Sequence, residues 1–415
     1  MRATALIAAV LGCAIAAASA PRASADESFS EIARGKRLVD AGDCVACHTA
    51  DPAKPLAGGV AVETPFGTIY SSNITPDAKT GIGNWSSDDF YRAMHEGVSR
   101  DGDRLYPAFP YPYFTKMTRS DVDAIRAYLR TVEPVANTPP SNKLMWPLGH
   151  RFLMSGWNLL FFKAGEMKPD PAKSAEWNRG AYLVEGPGHC GGCHTGKNFL
   201  GADKSSARFE GANLQNWFAP KLVNDRTDGI GTWTADDIVR YLKTGRNAKS
   251  GATGLMAEVV RNSTSKLDDG DLRAIAVYLK DLPGSDKTGS PARTDDKVVA
   301  AGKAIFDDSC GACHKPSGEG VPFMFPPLKG NANVQASDPT SLIRIVLGGA
   351  RTEPTDAEPT PSAMPAYDWK LSDAEIAAVV TYIRNAWGNR APAVSAGDVQ
   401  SLRKALAKET ANASP

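Results

Sequence analysis

The chain has 415 residues, with 47 Lys and Arg against 46 Asp and Glu, a formal net charge of +1, and 42% hydrophobic residues. This average composition excludes disordered, collagen-like and coiled-coil chains, and the absence of a basic excess excludes a dedicated nucleic-acid binder. At about 100–200 residues per domain, the length predicts two to four domains.

Met1-Arg2 precedes an apolar run from Ala5 to Ala18, and small residues ending in Ala23-Ser24-Ala25 follow. This reads as a secretory signal peptide over residues 1–25, removed before Asp26. Cleavage after Ala20 would leave Pro21 first and is disfavoured. Cys13, in Val10-Leu11-Gly12-Cys13, gives a secondary lipoprotein reading. No later stretch offers the 18 or more uninterrupted apolar residues of a membrane span.

Six of the seven cysteines fall in three copies of one string, Cys-x-x-Cys-His. They are Cys44 to His48, Cys190 to His194 and Cys310 to His314. The chain's own composition predicts roughly 0.002 such strings by chance. Thiols at i and i+3 share one side of a helical turn and can add to the two vinyl groups of one haem. The following His can bind its iron. Zinc would need a fourth ligand that no string supplies, and a redox dithiol does not need the trailing His. The expectation is three covalently bound haem c groups, held by Cys44 and Cys47, Cys190 and Cys193, and Cys310 and Cys313, with His48, His194 and His314 on the irons.

Internal repeats set the domains. Gly81-Ile82-Gly83-Asn84-Trp85-Ser86 matches Gly229-Ile230-Gly231-Thr232-Trp233-Thr234, 33 and 35 residues after the respective motif His. Each copy runs into an Asp-rich helix start capped by Ser or Thr. Closing helices are predicted around Asp121–Leu129, Asp271–Leu279 and Asp373–Arg384, from apolar residues at helical spacing. The expected fold is therefore mainly α, three tandem class I cytochrome c domains over 26–140, 173–283 and 295–391. Residues 141–172 read as an apolar inter-domain segment, 284–294 as a linker and 392–415 as a C-terminal tail. The stretch Met145–Phe162 is interrupted by Pro147, Gly149, His150 and Arg151. It reads either as inter-domain core or as a docking or membrane-surface patch.

Several longer strings are not required by haem attachment. They are Thr64 to Tyr70, Asn73 to Asp77, Gly156 to Phe161, Glu176 to Gly186 and Thr381 to Asn389. Through them the mature chain resembles the triple-haem cytochrome c subunit of bacterial membrane-bound dehydrogenases, of the alcohol, gluconate, fructose or sorbitol type. The resemblance implies a non-catalytic electron-transfer subunit at the periplasmic face of the inner membrane, and the Met145–Phe162 stretch with the absence of a span predicts peripheral association. It would take electrons from a catalytic partner (a quinoprotein, a flavoprotein or a molybdenum hydroxylase) and pass them to ubiquinone or another respiratory acceptor. The competing reading is a self-standing multihaem peroxidase or reductase with one open iron. No dinucleotide fingerprint or nucleophile elbow is present, so substrate oxidation falls to a partner.

A Met opposite each His is expected before each closing helix. Met364, in Ser362-Ala363-Met364-Pro365, lies 18 residues before Tyr382, and Met256 lies 22 before Tyr278. In the first unit Ala108-Phe109-Pro110 fills that slot, where relatives of this type often have Met, and Phe cannot bind iron. Met117 is the favoured substitute because the loop around it is Pro-rich; His95, Met94 and an open or water-bound iron remain alternatives. Met324 reads as packing near Pro326-Pro327, and His189 as packing or hydrogen bonding near the second haem. His95 and His150 otherwise read as ordinary histidines.

Overall fold

A computed structural model describes residues 28–284 and 295–413. The signal segment expected over 1–25 lies outside these residues, as does most of the expected linker.

Each unit is built on one helix crossing. The opening helix Phe29–Ala41 packs on the closing helix Arg119–Leu129 in unit one. Ala175–Glu185 packs on Asp269–Asp281 in unit two, and Asp296–Ser309 on Asp373–Ile383 in unit three. At each crossing a glycine of the opening helix faces an alanine of the closing one. A Cβ on Gly35, Gly180 or Gly302 would sit 1.8, 1.9 or 2.2 Å from the carbonyl oxygen of Ala124, Ala274 or Ala378. Only glycine lets the two backbones approach this closely. The closing helices start where the sequence placed them. Thr118, Asp268 and Ser372 accept from the amides of Asp121, Asp271 and Glu375, satisfying backbone groups that the helix leaves unpaired.

Between opening and closing helices, units one and two share a hairpin and a middle helix. The hairpins pair Ala61–Thr64 with Gly67–Tyr70, and Ala212–Leu214 with Trp217–Ala219. The repeated Gly-Ile-Gly strings are turns pressed against a preceding loop: a Cβ on Gly81 or Gly229 would meet the carbonyl of Thr75 or Val223 at 2.2 or 2.4 Å. Ser86 and Thr234 then cap the middle helices Ser87–Glu96 and Ala235–Thr244, each with a reciprocal Asp three residues on. Unit three lacks this hairpin. Its middle helix is Thr340–Gly348, followed by the paired two-residue strands Ala350–Arg351 and Ala363–Met364.

The segment 141–172 is part core and part open surface. Lys143–Leu144 adds a strand to the unit-one hairpin, and the helix Leu153–Phe161 buries Met154 and Asn158, whose amide oxygen accepts from Tyr111. The other face is open: Trp146 and Leu159 are each 87% exposed, Phe152 71% and Leu160 69%. Among the described residues no helix is long and apolar enough to cross a membrane. The tail becomes the helix Ala396–Ala413, which sends Val399 and Leu402 into the core of unit three.

The units are joined by different chemistry. Units one and two meet through Tyr182, donating to Asp121 at 2.6 Å, and Lys116, paired with Glu185 at 2.8 Å. Units two and three meet through Ser341, bonded to both backbone groups of Phe218, and Glu358, which accepts from Arg240 and Arg246.

Two outcomes follow. Gly180→Ala should lower the midpoint of chemical unfolding by the equivalent of about 1–3 kcal/mol. Gly156→Ala, a helical position with open space around it, should raise stability by about 0.5–1 kcal/mol; equal effects at both sites would refute the crossing argument. The second outcome concerns acid. The hydrogen bond from Arg246 holds the Glu358 carboxyl below its ordinary 4.5, with Arg240 adding to it. The folded value lies below the unfolded one, so the stabilisation is present above the unfolded value and is lost as pH falls through the folded one. Amide exchange in 340–362 should therefore accelerate on acidification below 4.5, and Glu358→Gln should remove that pH dependence.

Candidate haem centres

The three strings fold as single helical turns at the ends of the opening helices, Cys44–His48, Gly191–His194 and Gly311–His314. In units one and two the residue before the first Cys is left-handed, Asp43 at φ 47° and His189 at φ 36°, which turns the motif away from the opening helix. Each motif His is anchored identically. Nδ1 of His48, His194 and His314 lies 2.6, 2.6 and 3.0 Å from the carbonyl oxygens of Ser72, Pro220 and Pro326. A carbonyl can only accept, so Nδ1 carries the proton and the Nε2 lone pair is free for a metal. Burial holds all three imidazoles below their ordinary 6.5, keeping them neutral as a ligand must be. In unit three the motif loop is tied back further: Trp387 donates to the Pro316 carbonyl at 2.9 Å and Asn389 to that of Leu328 at 2.9 Å.

The thiols have the opposite character to a redox pair. Burial pushes Cys44 and Cys190 up to about 12, and Cys47 and Cys310 up to about 11. A catalytic dithiol needs a depressed value. Two protonated thiols one turn apart beside a neutral imidazole with a free Nε2 is the donor set that a haem c takes. The residues fit that group in all three units, and bound there it supplies a one-electron ferric–ferrous couple.

The proposed sixth ligands divide. Met256 is the second residue of the helix Leu255–Asn262 and packs, partly accessible, against the core of unit two. Met364 lies in a two-residue strand and packs the same way in unit three. In unit one the residue in that position is Phe109. Met117 does not join this set; it is fully buried immediately before the cap of the closing helix. His95 is stacked on Tyr91 at 4.8 Å, with both ring nitrogens buried and without a hydrogen-bond partner. His150 is exposed. Met324 is 55% exposed rather than packed, because it sits on the short turn between Val321 and Phe325.

His189 has a role the sequence only partly suggested. Its Nε2 lies 3.2 Å from the Gly42 carbonyl of unit one, and its ring lies edge-on to Phe114 at 5.6 Å. It bridges the turns that lead into the two motif helices. Toward unit three, Arg246 donates to the Ser362 hydroxyl at 2.9 Å, and Gly251 lies against Thr352. The segments that carry Met256 and Met364 therefore abut. The anchoring carbonyls and the crossing glycines were missed in the sequence. The carbonyls have no side-chain signal; the glycines had one, lying 8–10 residues before each first Cys in Gly35-Lys36-Arg37-Leu38, Gly180-Ala181-Tyr182-Leu183 and Gly302-Lys303-Ala304-Ile305.

The family model Cytochrome c matches residues 32–133 and 299–387. Several relatives match along most of the chain. The cytochrome c subunit of the quinone-type alcohol dehydrogenase of Gluconobacter oxydans is 41% identical over 94% of this chain and 85% of its own. The gluconate 2-dehydrogenase cytochrome c subunit of Pantoea cypripedii is 40% identical, covering 92% of each chain. The fructose dehydrogenase cytochrome subunit of Gluconobacter japonicus is 35% identical over 90% of this chain and 82% of its own. With three cytochrome c units in tandem and this degree of identity, the chain belongs to the family of dehydrogenase cytochrome c subunits.

Proposed function

We propose that this chain carries electrons for a membrane-bound dehydrogenase, through three haem c groups attached at its three motifs. The observation that carries the reading is the threefold repetition of one donor set, in three units that contact one another in chain order. The segments leading into the motifs of units one and two meet at His189, and the Met-bearing segments of units two and three meet at Arg246. Unit two is therefore the middle of a relay. The relatives are subunits of alcohol, gluconate and fructose dehydrogenases, which supports a catalytic partner that oxidises the substrate. Each oxidation would release two electrons, passed on singly and collected, with two protons, by ubiquinone or another respiratory acceptor. The expected location is the periplasmic side of the inner membrane.

The exposed face of Leu153–Phe161, together with Trp146 and Phe152, is read as the surface that rests on the membrane, since large apolar side chains at an interface bind without spanning it.

Denatured protein should weigh three haems more than the mature apo chain, and the native chain should co-purify with a dehydrogenase whose substrate reduces all three. Fewer haems, or turnover of peroxide by the isolated chain, would replace this reading with the self-standing enzyme. For the membrane contact, Leu159→Glu with Leu160→Glu should lower flotation with phospholipid vesicles at least tenfold; unchanged flotation would move the contact elsewhere.

A further inference from the structure

The Met position of unit one holds Phe109, and the three units can be compared residue by residue for what might replace it. Each closing helix is preceded by Lys and an apolar residue: Lys116-Met117-Thr118, Lys266-Leu267-Asp268 and Lys370-Leu371-Ser372. Met117, Leu267 and Leu371 are 0%, 3% and 8% exposed. They share hydrophobic clusters with Val122, Leu272 and Ile376, each the fourth residue of its helix. This is a hydrophobic staple, the contact that fixes how a chain enters a helix. Met117 does the work that leucine does twice elsewhere.

The middle helix gives the same answer. Counted back from the glycine that ends it, Met94 matches Leu242 and Val346, and all three are buried in their unit's core. His95 matches Lys243 and Leu347. Its ring lies on Tyr91, whose other contacts are the Arg119 guanidinium at 4.8 Å and Glu166. That stripe faces the start of the closing helix. Phe109 has Phe114 as its ring neighbour, at 5.5 Å.

We infer that the iron bound by His48 has no side-chain donor on its far side. The position is walled by the Phe109 ring, and it takes a small uncharged diatomic ligand of the carbon monoxide class. Phenylalanine offers no lone pair, and its apolar ring favours an uncharged ligand over an anion. The inference rests on a haem being attached at Cys44, Cys47 and His48.

The test uses the native holoprotein, with haem counted first. Reduced protein with three haems should bind one carbon monoxide per chain, and the ferric protein should show a Met–iron charge-transfer band of two ligations. Phe109→Met should abolish carbon monoxide uptake and increase that band about 1.5-fold. Met117→Leu and His95→Ala should change neither. If three haems are present but carbon monoxide does not bind, the inference fails while the electron-transfer reading stands. Loss of a third of the band in Met117→Leu, or new carbon monoxide binding in His95→Ala, would also overturn it. Fewer than three haems would fail the underlying reading instead.

Discussion

Three helix crossings that leave no space for a side chain fix the positions of everything else in this molecule. At Gly35, Gly180 and Gly302 the opening helix lies directly on the carbonyl of an alanine in the closing helix. The depth of that contact sets how far the opening helix projects before the motif turn begins. It also sets where the motif His meets the carbonyl that orients it. Shift one helix by the width of a methyl group and the His Nδ1 bond, at 2.6 Å in units one and two, could not be kept with the same cap and core. Packing of this kind resists small displacement because interiors are close-packed and have few alternative arrangements.

The haem motifs were legible in the sequence because covalent attachment needs contiguous residues, which folding cannot scatter. The closing helices were legible because their apolar faces repeat at helical spacing, and the middle helices because Ser86 and Thr234 each announce a cap with a reciprocal Asp. The orienting carbonyls were not, since a backbone group carries no residue type. They come 24 and 26 residues after the His in units one and two but 12 in unit three, where the hairpin is absent. The stretch Leu153–Phe161 resisted assignment for a different reason. Its amide residue, Asn158, is buried beside Met154 while Leu159 and Leu160 are exposed, so reading polarity as outward turns the helix the wrong way round.

The choice of a first-unit ligand sets a local signal against an internal comparison. A methionine in a Pro-rich loop invites the expectation of an unusual course. The strings Lys-Met-Thr, Lys-Leu-Asp and Lys-Leu-Ser were visible all along, and they place Met117 among leucines. An apolar residue just ahead of a capping residue carries its own structural explanation, which competes directly with ligation.

The two inter-unit contacts differ in a way that bears on what each must do. Glu185 is almost fully buried and accepts from Lys116, Arg208 and Tyr278, so it ties unit one to the opening and closing helices of unit two. A buried carboxylate is tolerated only when its partners are in place, and removing any one leaves a charge without solvent. Such a joint holds one geometry or fails. Between units two and three the contact is spread wider: Glu358 and its two arginines are partly solvated, and Ser341 with Phe218, Asn213 with Asp338 and Asn216 with Glu409 add to them. The concentrated joint lies beside His189, next to the motifs of units one and two, and the distributed one runs between the hairpin of unit two and the middle helix of unit three. Losing one partner of Glu185 therefore costs the first joint more than losing any single bond costs the second.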